Sequence, residues 1–337
     1  MTANSITLSK FAGKKCLVTG GLGFIGSNMA LALARGGAQV KVVDALVTTH
    51  GGDRRNLDTD DDLDIEVIIS DIADRSLVAP HLEGADYVFA IAGQVSHHAS
   101  MVKPLDDLEY NARSQLKFVE MIREVAPKAK VVHTSTRQVY GRADLLPVDE
   151  SHLTIPVDVN GVNKLAGEQF YLIYGRNYGM SISALRLTNV YGPRQCLANE
   201  GLGFLPVFIK RALNNQPITL FGTGEHFRDC LHVDDVVQAM ALAVTSKDAP
   251  CEVFNIGHTE CLTLHSIAET IIEVAGQGEL TYKQWPAELV GIDIGSFCSD
   301  ISKAKKLLSW EPKIGLAEGI GKSIEFYREN PWYLSSS

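Results

Sequence analysis

Short apolar runs and longer stretches of helical period take turns along the first half of this chain. The runs fall at residues 16–18, 39–43, 63–69, 86–91, 130–133 and 182–187. Each has the length and branching of a buried strand. Apolar positions then recur at Leu105, Leu108, Ala112, Leu116, Val119 and Ile122, the spacing of one helix face over 105–125. Residues 27–35 and 161–178 predict two further helices. Strands alternating with helices in this way predict an α/β fold with a doubly wound parallel sheet. Ligands of such a sheet sit at the carboxyl ends of the strands. Two polar stretches read as loops: 45–62, expected to be mobile, and 94–103, which carries His97 and His98. The second half changes character. Pro193, Pro206 and Pro217, with Gly192, Gly201, Gly203, Gly222 and Gly224, cut it into short elements. The expected division is a sheet domain over 1–187 and a smaller lobe over 188–337, whose helix near 233–244 packs back on the first domain.

The first strand runs straight into a glycine turn, Gly20, Gly23 and Gly26, with Phe24 and Ile25 inside it. Glycine permits the turn and lets the backbone approach a ligand closely. The helix that follows offers free N–H groups and a positive dipole end, which suit a pyrophosphate. Asp44 ends the second strand, the context that a dinucleotide site requires. The sheet domain therefore reads as Rossmann-type.

Composition narrows the remaining classes. Of 337 residues, 45% are hydrophobic and 21% charged, the balance of a folded globular protein. A net charge of -9 disfavours nucleic acid as a partner. No run approaches the roughly 20 apolar residues of a membrane span. The six cysteines are scattered without a C-x-x-C pair, which predicts no zinc or other metal site, no disulfide framework and a reducing, cytoplasmic home.

Five motifs in order give the chain a family resemblance. They are Thr19 to Gly26, Thr136 through Val139-Tyr140-Gly141, Asn163 to Glu168, Arg186 to Pro193, and Arg228 to Asp235. Over about 14–310 the chain resembles the extended short-chain dehydrogenase/reductase family, in particular its nucleotide-sugar epimerases and dehydratases, whose archetype is UDP-galactose 4-epimerase. The resemblance implies NAD, with Asp44 on the adenosine ribose and repelling a 2′-phosphate. Arg54 and Arg55 are the nearby residues that would favour NADP instead. It implies that Asp71 and Ile72 contact adenine, and that Ile91, Ala92 and Gly93 form the turn under the cofactor. Ala45, Gln94, Asn111, Thr134 and Leu187 complete the implied cofactor set. Lys164 matches the lysine on the nicotinamide ribose, and Thr136 the hydroxyl that contacts the reacting sugar oxygen. Arg228 and Asn189 match phosphate-gripping groups, with Arg137 and Asp293 lining the sugar nucleotide. The resemblance also implies a homodimer paired through the helices at 105–125 and 161–178.

The catalytic tyrosine of that family lies four residues before the lysine, where its phenolate takes the sugar hydroxyl proton. Here the position is Asn160, an amide that cannot act as a base near neutrality. Asn160 is expected to face the nicotinamide and sugar while another group moves the proton. His97, His98, Cys196, Tyr140 and Asp158 are the candidates, with the two histidines ahead because imidazole titrates near neutrality. Arg137 and Gln138 stand where the related dehydratases carry acids, and Val290 where epimerases often hold a second arginine. The resemblance thus implies epimerisation of a nucleoside diphosphate sugar by transient oxidation and hydride return. A dehydratase or decarboxylase sharing the first oxidation is the alternative, and a non-catalytic binding scaffold is the alternative of another class.

Overall fold

The computed structural model describes residues 8–59, 63–286 and 290–334. Seven parallel strands form the main sheet: β1 (Lys15–Thr19), β2 (Gln39–Asp44), β3 (Ile65–Ile69), β4 (Tyr87–Ala90), β5 (Lys130–Thr136), β6 (Ile182–Leu187) and, from the second half, Val253–Ile256. In space they run β3-β2-β1-β4-β5-β6 and then Val253–Ile256. The order reverses between β1 and β4, which opens the crevice that such sheets use for ligands. Both faces are covered, so β6 is buried along its whole length.

The helices of the first half are α1 (Phe24–Arg35), α2 (Arg75–Leu82), α3 (His97–Val102), α4 (Pro104–Leu108), α5 (Ser114–Val125) and α6 (Val159–Tyr178). Helix α1 covers one face together with α8 (Val233–Thr245), which the second half sends back across β5 and β6. Met29, Leu33, Leu185, Val236 and Met240 share that core. The other face packs Phe118, Ile122 and Tyr171, from α5 and α6, against Leu17 and Val88.

Three short ladders and helices α7 (Phe204–Leu213), α9 (Leu264–Ala275) and α11 (Leu316–Glu329) build the smaller lobe. The ladders are β7 (Asn189–Tyr191) with β10 (Cys230–His232), β8 (Ile218–Phe221) with Leu280–Lys283, and β9 (Phe227–Arg228) with Leu262–Thr263. Helix α10 (Ser302–Leu308) lies against the seventh strand of the main sheet. The lobe has its own core around Phe208, Ile209, Ile271 and Ile324. Among the described residues, no helix is long and apolar enough to cross a membrane.

Four sequence expectations change. The stretch 45–62, read as a loop, carries two short turns, Thr48–His50 and Arg54–Leu57. Asn56 fastens the second by donating to Leu22 O (2.7 Å), and Arg194 of the smaller lobe donates to Asn56 O (3.1 Å); residues 60–62 lie outside the described set. The stretch 94–103, read as a loop, contains α3, because the Ser96 hydroxyl caps it by accepting from Ala99 N. The single helix read over 105–125 is broken by a π-turn at Glu109–Arg113. Finally, Cys261 and Cys298 form a disulfide, with Cα atoms 5.8 Å apart. The ladder at Phe227 draws both ends together, pairing with Thr263 and accepting from Phe297 N, which spacing 37 residues apart could not reveal.

Candidate active site

The cofactor side of the crevice is made largely of backbone and small residues. Thr19 Oγ1 accepts from Ile91 N (3.0 Å) and Ala92 N (3.1 Å), tying the end of β1 to the turn after β4. A Cβ at Gly26 would collide with the Gly20 carbonyl, so only glycine closes this turn. Asp44 accepts from Leu22 N (2.9 Å) and Leu46 N (2.7 Å), and burial pushes its carboxyl up against those two bonds. Each oxygen retains a lone pair for a ribose hydroxyl. Gly20, Gly23, Phe24, Ile25, Gly26, Asp44, Ala45, Asp71, Ile72, Ile91, Ala92 and Gly93 all line one open cleft at the strand ends. Arg55 is turned away, bonded to Asp53 and lying 3.9 Å from the Trp332 ring centre. Sequence reasoning missed His50, Tyr110 and Gln195 in the same cleft, which Cys196, read as a candidate for moving the proton, also lines. His50 packs edge-on to Tyr110 at 5.4 Å, a pairing between the Thr48–His50 turn and the Glu109–Arg113 π-turn that no local pattern announces.

Gln94, Asn111, Asn160 and Lys164 lie behind this cleft in a buried polar network. Gln94 and Asn111 exchange backbone and amide bonds of 3.0 Å each. Asn160 Nδ2 reaches Gln94 O, Gln94 Oε1 and Asp107 Oδ2, all at 3.0 Å. Asn163 Nδ2 donates to the other Asp107 oxygen at 2.8 Å. The amide expected to face nicotinamide and sugar is instead consumed by Asp107, a carboxylate only 1% exposed that needs donors. Lys164 stays at the cleft: a Cβ on Gly93 would sit 2.6 Å from its Nζ. Burial pushes the Lys164 ammonium down to about 8, opposed by the charge of Asp107. Thr134 is buried with its hydroxyl toward Ala90 O (3.4 Å), and Leu187 pairs with Thr136 across β5 and β6.

At the end of β5, Thr136 Oγ1 accepts from Gln138 N (3.2 Å). Gln138 Nε2 donates to Asp158 Oδ2 (3.1 Å), and His97 Nδ1 lies 2.9 Å from that same oxygen. The other Asp158 oxygen caps α6 by accepting from Gly161 N (2.7 Å). Burial raises the Asp158 carboxyl, but the His97 bond and charge, with Gly161 and Gln138, outweigh it and hold it below its usual value. His98 is exposed. The Tyr140 phenol donates to Asn255 Oδ1 (2.7 Å) and is pushed up to about 12 by burial, so it is no base near neutrality.

A cationic corner adjoins Thr136. Arg137 Nη2 donates to Asn189 Oδ1 (2.9 Å), while its buried Nη1 has no partner. Burial, then the charge of Arg228, push Arg137 down to about 10. Arg228 Nη2 lies 3.5 Å from Asp293 Oδ1, and its Nη1 donates to Phe227 O (2.8 Å) and Gly295 O. Thus Thr136, Arg137, Asn189, Arg228 and Asp293 converge from β5, β7, β9 and the 290–295 turn.

A glycine turn, a buried acid ending β2 and a lysine behind Gly93 meet at the carboxyl ends of the parallel strands in the layout of a dinucleotide site, beside a lobe that carries buried arginines. Residues 16–257 match the NAD dependent epimerase/dehydratase family, and the chain belongs to it. The UDP-glucose 4-epimerase of Mycolicibacterium smegmatis is 32% identical over 93% of this chain and 98% of its own. The dTDP-glucose 4,6-dehydratase of Streptomyces niveus is 30% identical over 94% and 93%. The solved UDP-glucose 4-epimerase with UDP-glucose from Thermotoga maritima superposes with a TM-score of 0.85 at 32% identity, covering 94% of this chain and 99% of that one. The protein is accordingly an NAD-dependent extended short-chain dehydrogenase/reductase whose relatives are nucleotide-sugar enzymes.

Proposed function

We propose that the enzyme epimerises a nucleoside diphosphate sugar by oxidising one ring carbon and returning the hydride to its other face. The observation that carries this reading is the pairing of Thr136 with arginine rather than acid. Arg137, beside Thr136, is a buried cation against Arg228 and cannot deliver the proton that assists loss of water. Bound NAD supplies the hydride acceptor and donor. Thr136 orients the sugar hydroxyl, and Lys164 holds the nicotinamide ribose from behind Gly93. Arg228, Arg137 and Asn189 hold the diphosphate, where a guanidinium suits both charge and geometry. Asp44 accepts from the adenosine ribose.

A homodimer and a cytoplasmic home belong to the same reading. Met101, Val102, Leu105, Leu108, Leu116 and Val162 are exposed along α3 to α6, an apolar face that a second copy would cover. Cys16, Cys196, Cys230 and Cys251 are free thiols, as a reducing compartment favours, while the Cys261–Cys298 disulfide argues the other way. A monomer mass at micromolar concentration would remove the dimer from this picture.

The test is incubation with UDP-glucose, UDP-galactose, UDP-N-acetylglucosamine and dTDP-glucose, read by mass and NMR. Product of unchanged mass with one inverted carbon is expected. Loss of water or carbon dioxide would move the protein to the dehydratases or decarboxylases. Binding without any turnover would make it a scaffold.

A further inference from the structure

The tyrosine position holds an amide, so the proton of the sugar hydroxyl needs another acceptor. The polar chain at the end of β5 contains one. His97 stands at the start of α3, just after the carboxyl end of β4, the strand next to β5. Its Nδ1 is 2.9 Å from Asp158 Oδ2, and its side chain is 36% exposed while that of Asp158 is fully buried. Gln138 links the same oxygen back to Thr136, the hydroxyl that orients the sugar. Capping α6 needs one Asp158 oxygen, and Gly161 N uses Oδ1. The other oxygen is buried and given wholly to His97 and Gln138.

The tautomer follows from this contact. The two atoms are in charge contact but off the line of a hydrogen bond; because a carboxylate only accepts, that contact favours the proton of the neutral ring on Nδ1. Nε2 then carries a lone pair on the far side of the ring. A base held in one tautomer by a buried acid is the arrangement that activates hydroxyl groups in nucleophilic catalysis. Here the hydroxyl belongs to the substrate.

We propose that His97, oriented by Asp158, is the acid–base group of this enzyme, an inference that rests on the oxidoreductive reading above. In the forward step the sugar O–H bond breaks and its proton moves to His97 Nε2. The hydrogen on the same carbon leaves with both bonding electrons to the oxidised nicotinamide, and a C=O bond forms. On return the carbonyl carbon regains the hydride on its other face, and His97 gives the proton back to the oxygen. Protons and electrons balance over the cycle. Asp158 is a positioning residue that fixes the ring and stabilises its cationic form. Among the charged or titratable groups of the elements packed here are Lys164 and Glu168 on α6, Asp106 and Asp107 on α4, His98 on α3, Lys103 at its end and Arg137 after β5.

The experiment uses the NAD-loaded protein with the four sugar nucleotides above, following nicotinamide reduction by absorbance and product by mass. His97→Gln should lower the rate by about 10²–10⁴ while NAD content, thermal midpoint and UDP affinity stay unchanged. His97→Ala should regain rate in proportion to added imidazole. Asp158→Asn keeps a good N-cap but loses the charge, so kcat should fall with KM unchanged and the acid limb of the pH–rate profile should move. These three results together support the dyad. A His97→Gln enzyme within threefold of the native rate overturns the dyad and leaves epimerisation standing. A product of reduced mass, still dependent on His97, overturns epimerisation and supports the dyad. Native protein that never reduces its nicotinamide with any of the four probes overturns both.

Discussion

The two sides of the strand-end crevice are made of different materials. The cofactor side is backbone and small residues: the Gly20–Gly26 turn, the Thr19 tie to Ile91 and Ala92, and one carboxylate at Asp44. The catalytic side is a lattice of buried polar side chains, with Asp107, Asn160, Asn163 and Gln94 in one cluster and His97, Asp158 and Gln138 in another. A backbone-built site tolerates little change, because each glycine is fixed by a close approach. A side-chain-built site can be rewired while its scaffold stays put. The comparison explains how a chain keeps the cofactor motif while an amide replaces the family's phenol.

The largest effect should come from the scaffold beneath the catalytic side. Glu168 on α6 holds Arg186 on β6 through bonds of 2.6 and 2.9 Å, with the two side chains 0% and 5% exposed. This pair fixes the helix that carries Asn160 and Lys164. Glu168→Gln strands a buried guanidinium and should cost about 3–5 kcal/mol in urea unfolding. A loss below about 1 kcal/mol would mean that α6 is held by packing alone.

Next comes the cationic corner, where stability and binding should move in opposite directions. Arg137 is buried, repelled by Arg228 and left with an unpartnered Nη1. Arg137→Met should therefore stabilise the free protein by about 1 kcal/mol. Arg228→Ala should weaken UDP binding by about 1.5–3 kcal/mol, the worth of a hydrogen bond to a charged group. Calorimetry should show NAD affinity unchanged in both. A destabilised Arg137→Met would mean that the guanidinium serves the fold and not an anion.

The same contrast of materials set what could be read from the chain. Strands β1, β2, β4, β5 and β6 were legible because parallel strands packed between helices leave short β-branched runs, and the edge strand β3 shows such a run although it is only half-buried. The residues of the glycine turn that line the cleft were legible because such a turn is a local device. Asp107 was not, since on α4 it looks like any acid of an amphipathic helix, and its burial arises only where α4 meets α6. Helix α3 was missed because its one start signal, Ser96, precedes two polar histidines. The Cys261–Cys298 pair was missed because a two-residue ladder brings distant residues together. His97 and Asp158 were each visible as candidates, but 61 positions apart their contact belongs to the fold.

On the cofactor side a smaller, cleaner effect is expected. Asp44→Asn keeps an acceptor for Leu22 N or Leu46 N but removes the charge. NAD affinity should fall by about 1 kcal/mol, and the exclusion of NADP should relax, since a carboxylate there repels a 2′-phosphate. Equal affinity of the native protein for both cofactors, measured by calorimetry, would refute the role of Asp44.

The finest probe is the proton on Lys164, which sits between the two materials. Its ammonium is pushed down to about 8 by burial, and Asp107 is the charge that limits the fall. Asp107→Asn keeps the shape and one accepting oxygen, which serves Asn160 or Asn163 while its N–H group faces the other. It removes the negative charge, so the Lys164 value should drop further, by about one unit. The titration can be followed by NMR on isotopically labelled lysine side chains. The stability sign follows from the same shift. The folded form releases this proton near 8 and the unfolded chain near the ordinary 10.5, so the unfolded state binds more protons between those values. Stability carried by this group should therefore rise with pH across that window, and Lys164→Met should abolish the rise. In the Asp107→Asn protein the window should open at a lower pH. An unmoved Lys164 titration would show that the catalytic lattice does not reach the cofactor through charge, and that the two sides of the crevice are independent.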